Sequence, residues 1–180
     1  MQVLTFLLET VFFFLVGAAL LRAWMNQMQL QMSAQPGRFA LALTDWLVQP
    51  VRRVLPRSMA QSKVDWGSLV SAALLAQGSA GLSLLLNGTA EIMQVNPLPL
   101  FLLLAVRMLL RVLLQGLMFL LLAYAVLSWA QPHSPLLATL DRLCAPLLRP
   151  LRRWIPLVGG VDLSVLVLLI ALQIGLIVLG

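Results

Sequence analysis

The chain predicts an all-α membrane protein with four transmembrane helices, arranged as two parallel repeats of span, amphipathic interfacial helix, span. Three observations carry that reading. Of the 180 residues, 61% are hydrophobic and only 10% charged, whereas soluble domains run at about 45–50% apolar and about 25% charged. The apolar residues fall into segments long enough to cross a hydrocarbon core of about 30 Å at 1.5 Å per residue. Between those segments, Pro50-Val51-Arg52-Arg53-Val54-Leu55-Pro56 recurs one hundred positions later as Pro150-Leu151-Arg152-Arg153-Trp154-Ile155-Pro156.

The first span covers 3–24, apolar except for Thr5, Glu9, Thr10 and Arg22. A signal peptide fits it poorly, since no basic region precedes the apolar run. After the polar stretch 26–35 and a Pro36-Gly37 turn, apolar residues at 39, 43, 46, 47, 51 and 54 predict an amphipathic helix over 39–54. It is too short and too charged to span, so it lies at the interface with Trp46 at headgroup depth. Asp65 is the expected N-cap of a second span over 66–86. The face of that span at Ala72, Ala76, Ser79, Ala80 and Ser83 is small, which permits close helix packing. Asn87-Gly88 and Asn96-Pro97 mark a turn-rich loop with no Lys or Arg, expected outside. These elements make up the first repeat, 1–97.

The second repeat, 98–180, opens on an apolar segment, 98–129, too long for one perpendicular crossing. It reads as an outer interfacial lead-in over 98–104 and a third span over 105–129, with one strongly tilted helix as the alternative. Ser134 and Pro135 then form a helix start. Leu136, Leu137, Leu140, Leu143, Cys144, Leu147, Leu148, Leu151, Trp154 and Ile155 make an apolar stripe over 135–155. Gly159-Gly160 turns the chain, and Asp162 caps the last span, 163–179.

Charge placement sets the orientation. Arg22, Arg38, Arg52, Arg53, Arg57, Lys63, Arg142, Arg149, Arg152 and Arg153 fall on one side of this layout, ten of the twelve basic residues, leaving Arg107 and Arg111. Both termini are therefore expected to be extracytoplasmic. The net charge of +6 sits beside membrane segments, which points to anionic lipid headgroups rather than nucleic acid. Arg52, Arg53, Arg57, Arg149, Arg152 and Arg153 form the expected lipid- or partner-binding set, since guanidinium groups bind phosphates and carboxylates alike. Glu9, Arg107 and Arg111 form an expected intramembrane charge cluster, with Glu9 paired to Arg107 or Arg111 unless each snorkels to the interface.

No enzyme is expected. A single histidine, His133, and a single cysteine, Cys144, exclude His-based and multi-cysteine metal sites. The six acidic residues show no pair at helical spacing, and no cofactor-binding loop is present.

Arg149-Pro150-Leu151-Arg152-Arg153-Trp154-Ile155-Pro156, followed by Gly159-Gly160-Val161-Asp162-Leu163-Ser164, resembles the YggT family, also called YlmG in some bacteria and in plastids. The likeness extends over essentially the whole chain, including Ser128-Trp129. It departs from the pattern at Gln49, where the second copy has Arg149, and at Val165, where proline is common. The resemblance implies a multi-pass bacterial inner-membrane protein. Roles proposed for the family lie in osmotic tolerance, division and envelope organisation, and assembly of membrane complexes. Two functions follow as expectations: a scaffold or assembly factor with a protein partner or self-association, or a small channel or transporter linked to osmotic or ion tolerance.

Overall fold

A computed structural model describes residues 2–32, 35–56, 64–86, 97–154 and 162–179. They form helices α1 (Gln2–Gln27), α2 (Gly37–Val54), α3 (Trp66–Leu86), α4 (Pro97–Ala130), α5 (Pro135–Arg152) and α6 (Leu163–Leu179), with no strand among the described residues. The loops expected over 57–63 and 87–96, Ile155, Pro156 and the Gly159-Gly160 turn lie outside the described residues.

The long apolar segment is one helix of 34 residues, about 51 Å at 1.5 Å per residue. The single-helix alternative therefore describes the backbone, with 98–104 continuous with the expected third span. Pro97 and Pro99 sit in the first turn of α4, where missing N–H groups break no helical bond, and nothing after them interrupts it. Ala105 is buried, and a Cβ placed on Gly81 of α3 would lie 3.3 Å from the Phe101 ring. The lead-in residues therefore continue the helix that packs beside α3.

The chain divides into two compact units, 1–27 with 31–112 and 28–30 with 113–180. In the first, Val16 and Ala19 of α1, Ala72 and Leu75 of α3, and Val112 of α4 form the core. The small face of α3 is buried at Ala72, Ala76, Ser79 and Ala80, so the backbones of α1 and α3 approach closely. α2 turns Ala40, Thr44 and Val48 inward, while Phe39, Trp46 and Val54 point outward. The large apolar residues that announce its amphipathicity thus face away from the unit, and a small stripe four residues apart does the packing. Gly37 is needed where α2 begins, because a Cβ there would lie 2.8 Å from the Met32 backbone.

In the second unit, Leu121 of α4, Cys144 and Leu148 of α5, and Val165 and Leu172 of α6 form the core. α5 starts as its sequence dictates, with Ser134 accepting the Leu136 N–H at 3.2 Å and Pro135 in the first turn. Burial of its stripe is confined to Leu140, Leu143, Cys144 and Leu148. Trp154 is 87% exposed.

Outside the cores, α1 and α6 expose many apolar side chains. Val3, Leu4, Phe6, Leu7, Val11 and Phe14 of α1 are exposed, as are Leu166, Ile170, Ile174 and Ile177 of α6. Contiguous apolar surface of this kind suits hydrocarbon rather than water. Among the described residues, two helices are long and apolar enough to cross a membrane, Val3–Gln27 and Phe101–Ala130, and α6 is a shorter apolar helix.

Candidate functional site: two arginine–aspartate clamps

The basic motif of α2 ends on an ion pair. Arg52 occupies the last turn of α2, and Asp65 immediately precedes α3. Arg52 Nη2 donates to Asp65 Oδ2 at 2.7 Å. The same carboxylate caps α3, accepting the Ser68 N–H at 3.1 Å and the Ser68 Oγ–H at 2.7 Å. An aspartate here satisfies otherwise orphaned donors of the first turn and complements the positive end of the helix dipole. Its side chain is 3% exposed, while that of Arg52 is 45% exposed. Burial pushes the Asp65 carboxyl up, but the hydrogen bonds from Arg52 and Ser68 and the Arg52 charge outweigh it and hold the group below the usual carboxylate value.

Gly67 leaves room for this contact. A Cβ at that position would collide with the Arg52 Cγ. Gly67→Ala is expected to expel Arg52 from Asp65 and lower stability by about 1–2 kcal/mol. Thermal unfolding in detergent checks this, and the loss should shrink in an Arg52→Ala background.

The second copy repeats the device with more partners. Arg152 Nε donates to Asp162 Oδ2 at 2.7 Å, and Nη2 of the same side chain lies 2.7 Å from that oxygen. Nη2 also donates to the Tyr124 hydroxyl at 3.0 Å, and Nη1 stands 4.0 Å from Asp141. Asp162 accepts the Ser164 N–H at 3.0 Å at the start of α6. One guanidinium therefore gathers groups from α4, α5 and the cap of α6. Burial pushes the Arg152 pKa down, but the Tyr124 and Asp162 hydrogen bonds leave it raised, so the side chain stays charged. Nearby, burial and then the Asp141 charge push the Cys144 thiol up to about 11, which keeps it unreactive.

The six arginines expected to bind as a set thus divide. Arg52 and Arg152 are turned onto Asp65 and Asp162. Arg53, Arg149 and Arg153 are exposed and form no ion pair among the described residues. Arg57 lies outside the described residues. Asp65 and Asp162 hold the cap positions. Sequence reasoning treated the Arg-Arg motifs and the caps separately. The linking signal was the scarcity of acid: six carboxylates in the chain, two of them a short loop downstream of the two motifs.

A third pair was missed altogether. Arg22, read as an orientation signal, is buried near the end of α1 and donates to Asp45 at 2.7 Å and Thr44 at 3.1 Å. It fastens α2 to α1. By contrast, no ion pair within 4.0 Å joins Glu9 to Arg107 or Arg111. Glu9 instead faces a groove shared by α1 and α3, beside Thr5, Ser79 and Ser83. Among the described residues, no group of three His, Cys, Asp or Glu side chains is placed to hold a metal ion.

Fold and site together define an all-α protein with membrane-like helices, in which each amphipathic helix is latched to the cap of the next apolar helix. The chain belongs to the CCB3/YggT family, whose profile matches residues 1–86 and 101–180. It is 31% identical over 175 residues to "Uncharacterized protein YggT" of Escherichia coli K12, covering 97% of this chain and 87% of that protein. It is 30% identical over 181 residues to "Uncharacterized protein in proC 3'region" of Vibrio alginolyticus, covering 100% of this chain and 95% of that one. No solved structure matches the chain.

Proposed function

We propose that the chain is a non-catalytic scaffold or assembly factor of the bacterial inner membrane, with α2 and α5 lying on the cytoplasmic leaflet and binding anionic headgroups or an acidic protein partner. In this reading α1, α3, α4 and α6 all span, as two parallel repeats with both termini extracytoplasmic. α3 and α6 have 21 and 17 residues, about 32 and 26 Å at helical rise, which suits a hydrocarbon core of about 30 Å.

The observation that carries the reading is what remains once the clamps are formed. Arg53 on α2 and Arg149 and Arg153 at the end of α5 stay exposed, beside exposed Trp46 and Trp154. Indole at headgroup depth with guanidinium above it is an interfacial pattern. Each such cation contributes about 1 kcal/mol near an anionic leaflet, so three give about 3 kcal/mol.

The test is Arg53→Gln, Arg149→Gln and Arg153→Gln combined, with Arg52 and Arg152 intact. Insertion should persist, with a reporter after Gly180 reading extracytoplasmic. Phosphatidylglycerol retained by the purified protein should fall about tenfold or more, and complementation of a deletion strain should fail. A triple variant that retains lipid and complements as the parent does reduces these arginines to orientation signals.

A small channel or transporter is the second reading. It rests on Glu9, Arg107 and Arg111 lying within the two helices of spanning length. Flux of K⁺ or H⁺ across liposomes holding the purified chain decides it.

A further inference from the structure

We propose that the groove between the first third of α1 and the last third of α3 binds a primary ammonium group, supplied by the headgroup of an amino-phospholipid such as phosphatidylethanolamine. The inference rests on the membrane reading but concerns a different surface from the arginines of α2 and α5. Four polar residues line the groove, Thr5 and Glu9 from α1 and Ser79 and Ser83 from α3, with Phe12 and Leu86 among its apolar walls. That division suits an amphiphile, with a polar head on the hydroxyls and carboxylate and carbon atoms along the walls.

Charge selects the head. Glu9 is the only acidic residue of α1 and forms no ion pair among the described residues. A carboxylate in a helix of spanning length is costly unless a cation meets it, and Glu9 is exposed where it lines the groove. Hydrogen bonding narrows the class. An ammonium group brings three donors and no acceptor. Ser83 donates its hydroxyl hydrogen to the Ser79 carbonyl at 2.9 Å, so its oxygen presents lone pairs only. Glu9 and Ser83 thus both offer acceptors to a donor-rich head in the groove they line.

Hydrogen bonding also separates the alternatives. A primary ammonium head carries three N–H donors for the Glu9 carboxylate and the Ser83 hydroxyl, and a trimethylammonium head carries none. Choline recognition also favours a cage of aromatic rings, and among the described residues Phe12 is the one ring lining the groove.

The experiment uses the full chain in nanodiscs with a constant phosphatidylglycerol fraction. The remaining lipid is phosphatidylethanolamine, its N-methyl or N,N-dimethyl derivative, or phosphatidylcholine. Lipid retained per protein is counted by native mass spectrometry after detergent extraction. Phosphatidylethanolamine should be retained about tenfold over phosphatidylcholine, with stepwise loss along the methyl series. Glu9→Gln should abolish the preference without changing insertion or phosphatidylglycerol retention, and Ser83→Ala should weaken it. Equal retention of the two lipids, or an unchanged preference in Glu9→Gln, overturns the proposal. Full displacement of the lipid by K⁺ or free ethanolamine at equal concentration overturns the lipid as the source. Loss of phosphatidylglycerol from the Arg53, Arg149 and Arg153 variant is a separate readout, so either site can fail alone.

Discussion

Asp65→Ala lowers the stability of the detergent-solubilised chain by about 2–4 kcal/mol, the largest effect expected of any single substitution in the clamps. Three losses add. The α3 cap disappears as the Ser68 N–H loses its acceptor, which alone costs about 1 kcal/mol. The buried Ser68 hydroxyl loses its acceptor as well. Arg52 loses its carboxylate, a smaller loss because that side chain is 45% exposed and water takes over part of the interaction. Asp65→Asn keeps an acceptor for the cap and should cost about half as much. Asp162→Ala should cost less, about 1–2 kcal/mol, because Asp162 is more exposed than Asp65. Equilibrium unfolding checks the series, and additive effects of Arg52→Gln and Asp65→Asn would refute the coupling. The same pair predicts acid sensitivity. The folded Asp65 carboxyl binds its proton less tightly than the unfolded one. Its contribution is therefore complete above the ordinary carboxylate value of about 3.9, and is lost as pH falls through the lower folded value. Asp65→Asn should remove that part of the acid dependence.

Arg22→Met costs about 2–4 kcal/mol, and the damage concentrates in α2. Methionine keeps the aliphatic bulk, so the loss reports the guanidinium contacts rather than a cavity. The side chain of Arg22 is 5% exposed and that of Asp45 42% exposed, so removing the arginine leaves Thr44 buried without its donor and a carboxylate partly covered. Proteolysis between α1 and α2, or faster amide exchange along α2 with α1 unchanged, is the expected readout. Arg22→Lys should rescue only in part, since one ammonium has less reach and no planar fork to serve two acceptors. Uniform loosening of the first unit would refute the assignment of Arg22 as the fastener of α2.

The helices were largely legible because apolar runs, proline starts and aspartate caps act over a few residues. Asp65 and Asp162 begin α3 and α6 where their spacing from the apolar runs requires, and Ser134-Pro135 begins α5. The continuity of α4 was harder to read. Apolar composition alone does not distinguish an interfacial turn from more helix, and the packing of Phe101 beside Gly81 decides for helix. The inward stripe of α2 was missed for a related reason. Ala40, Thr44 and Val48 are inconspicuous beside Phe39 and Trp46, yet it is the small residues that face the packed helices.

By itself, then, the sequence determined which segments are helical and where the basic residues cluster, because propensity and charge are properties of short stretches. Tertiary structure alone decided what each charge is for. Arg52 and Arg53 are neighbours of identical chemistry, yet one closes on Asp65 and the other stays exposed. Arg22, counted only among the cations that set orientation, also closes on Asp45, twenty-three residues away. An arginine carries a long side chain whose partner is set by whichever carboxylate the packed backbones bring within about 3 Å, and that distance exists only once the helices have docked.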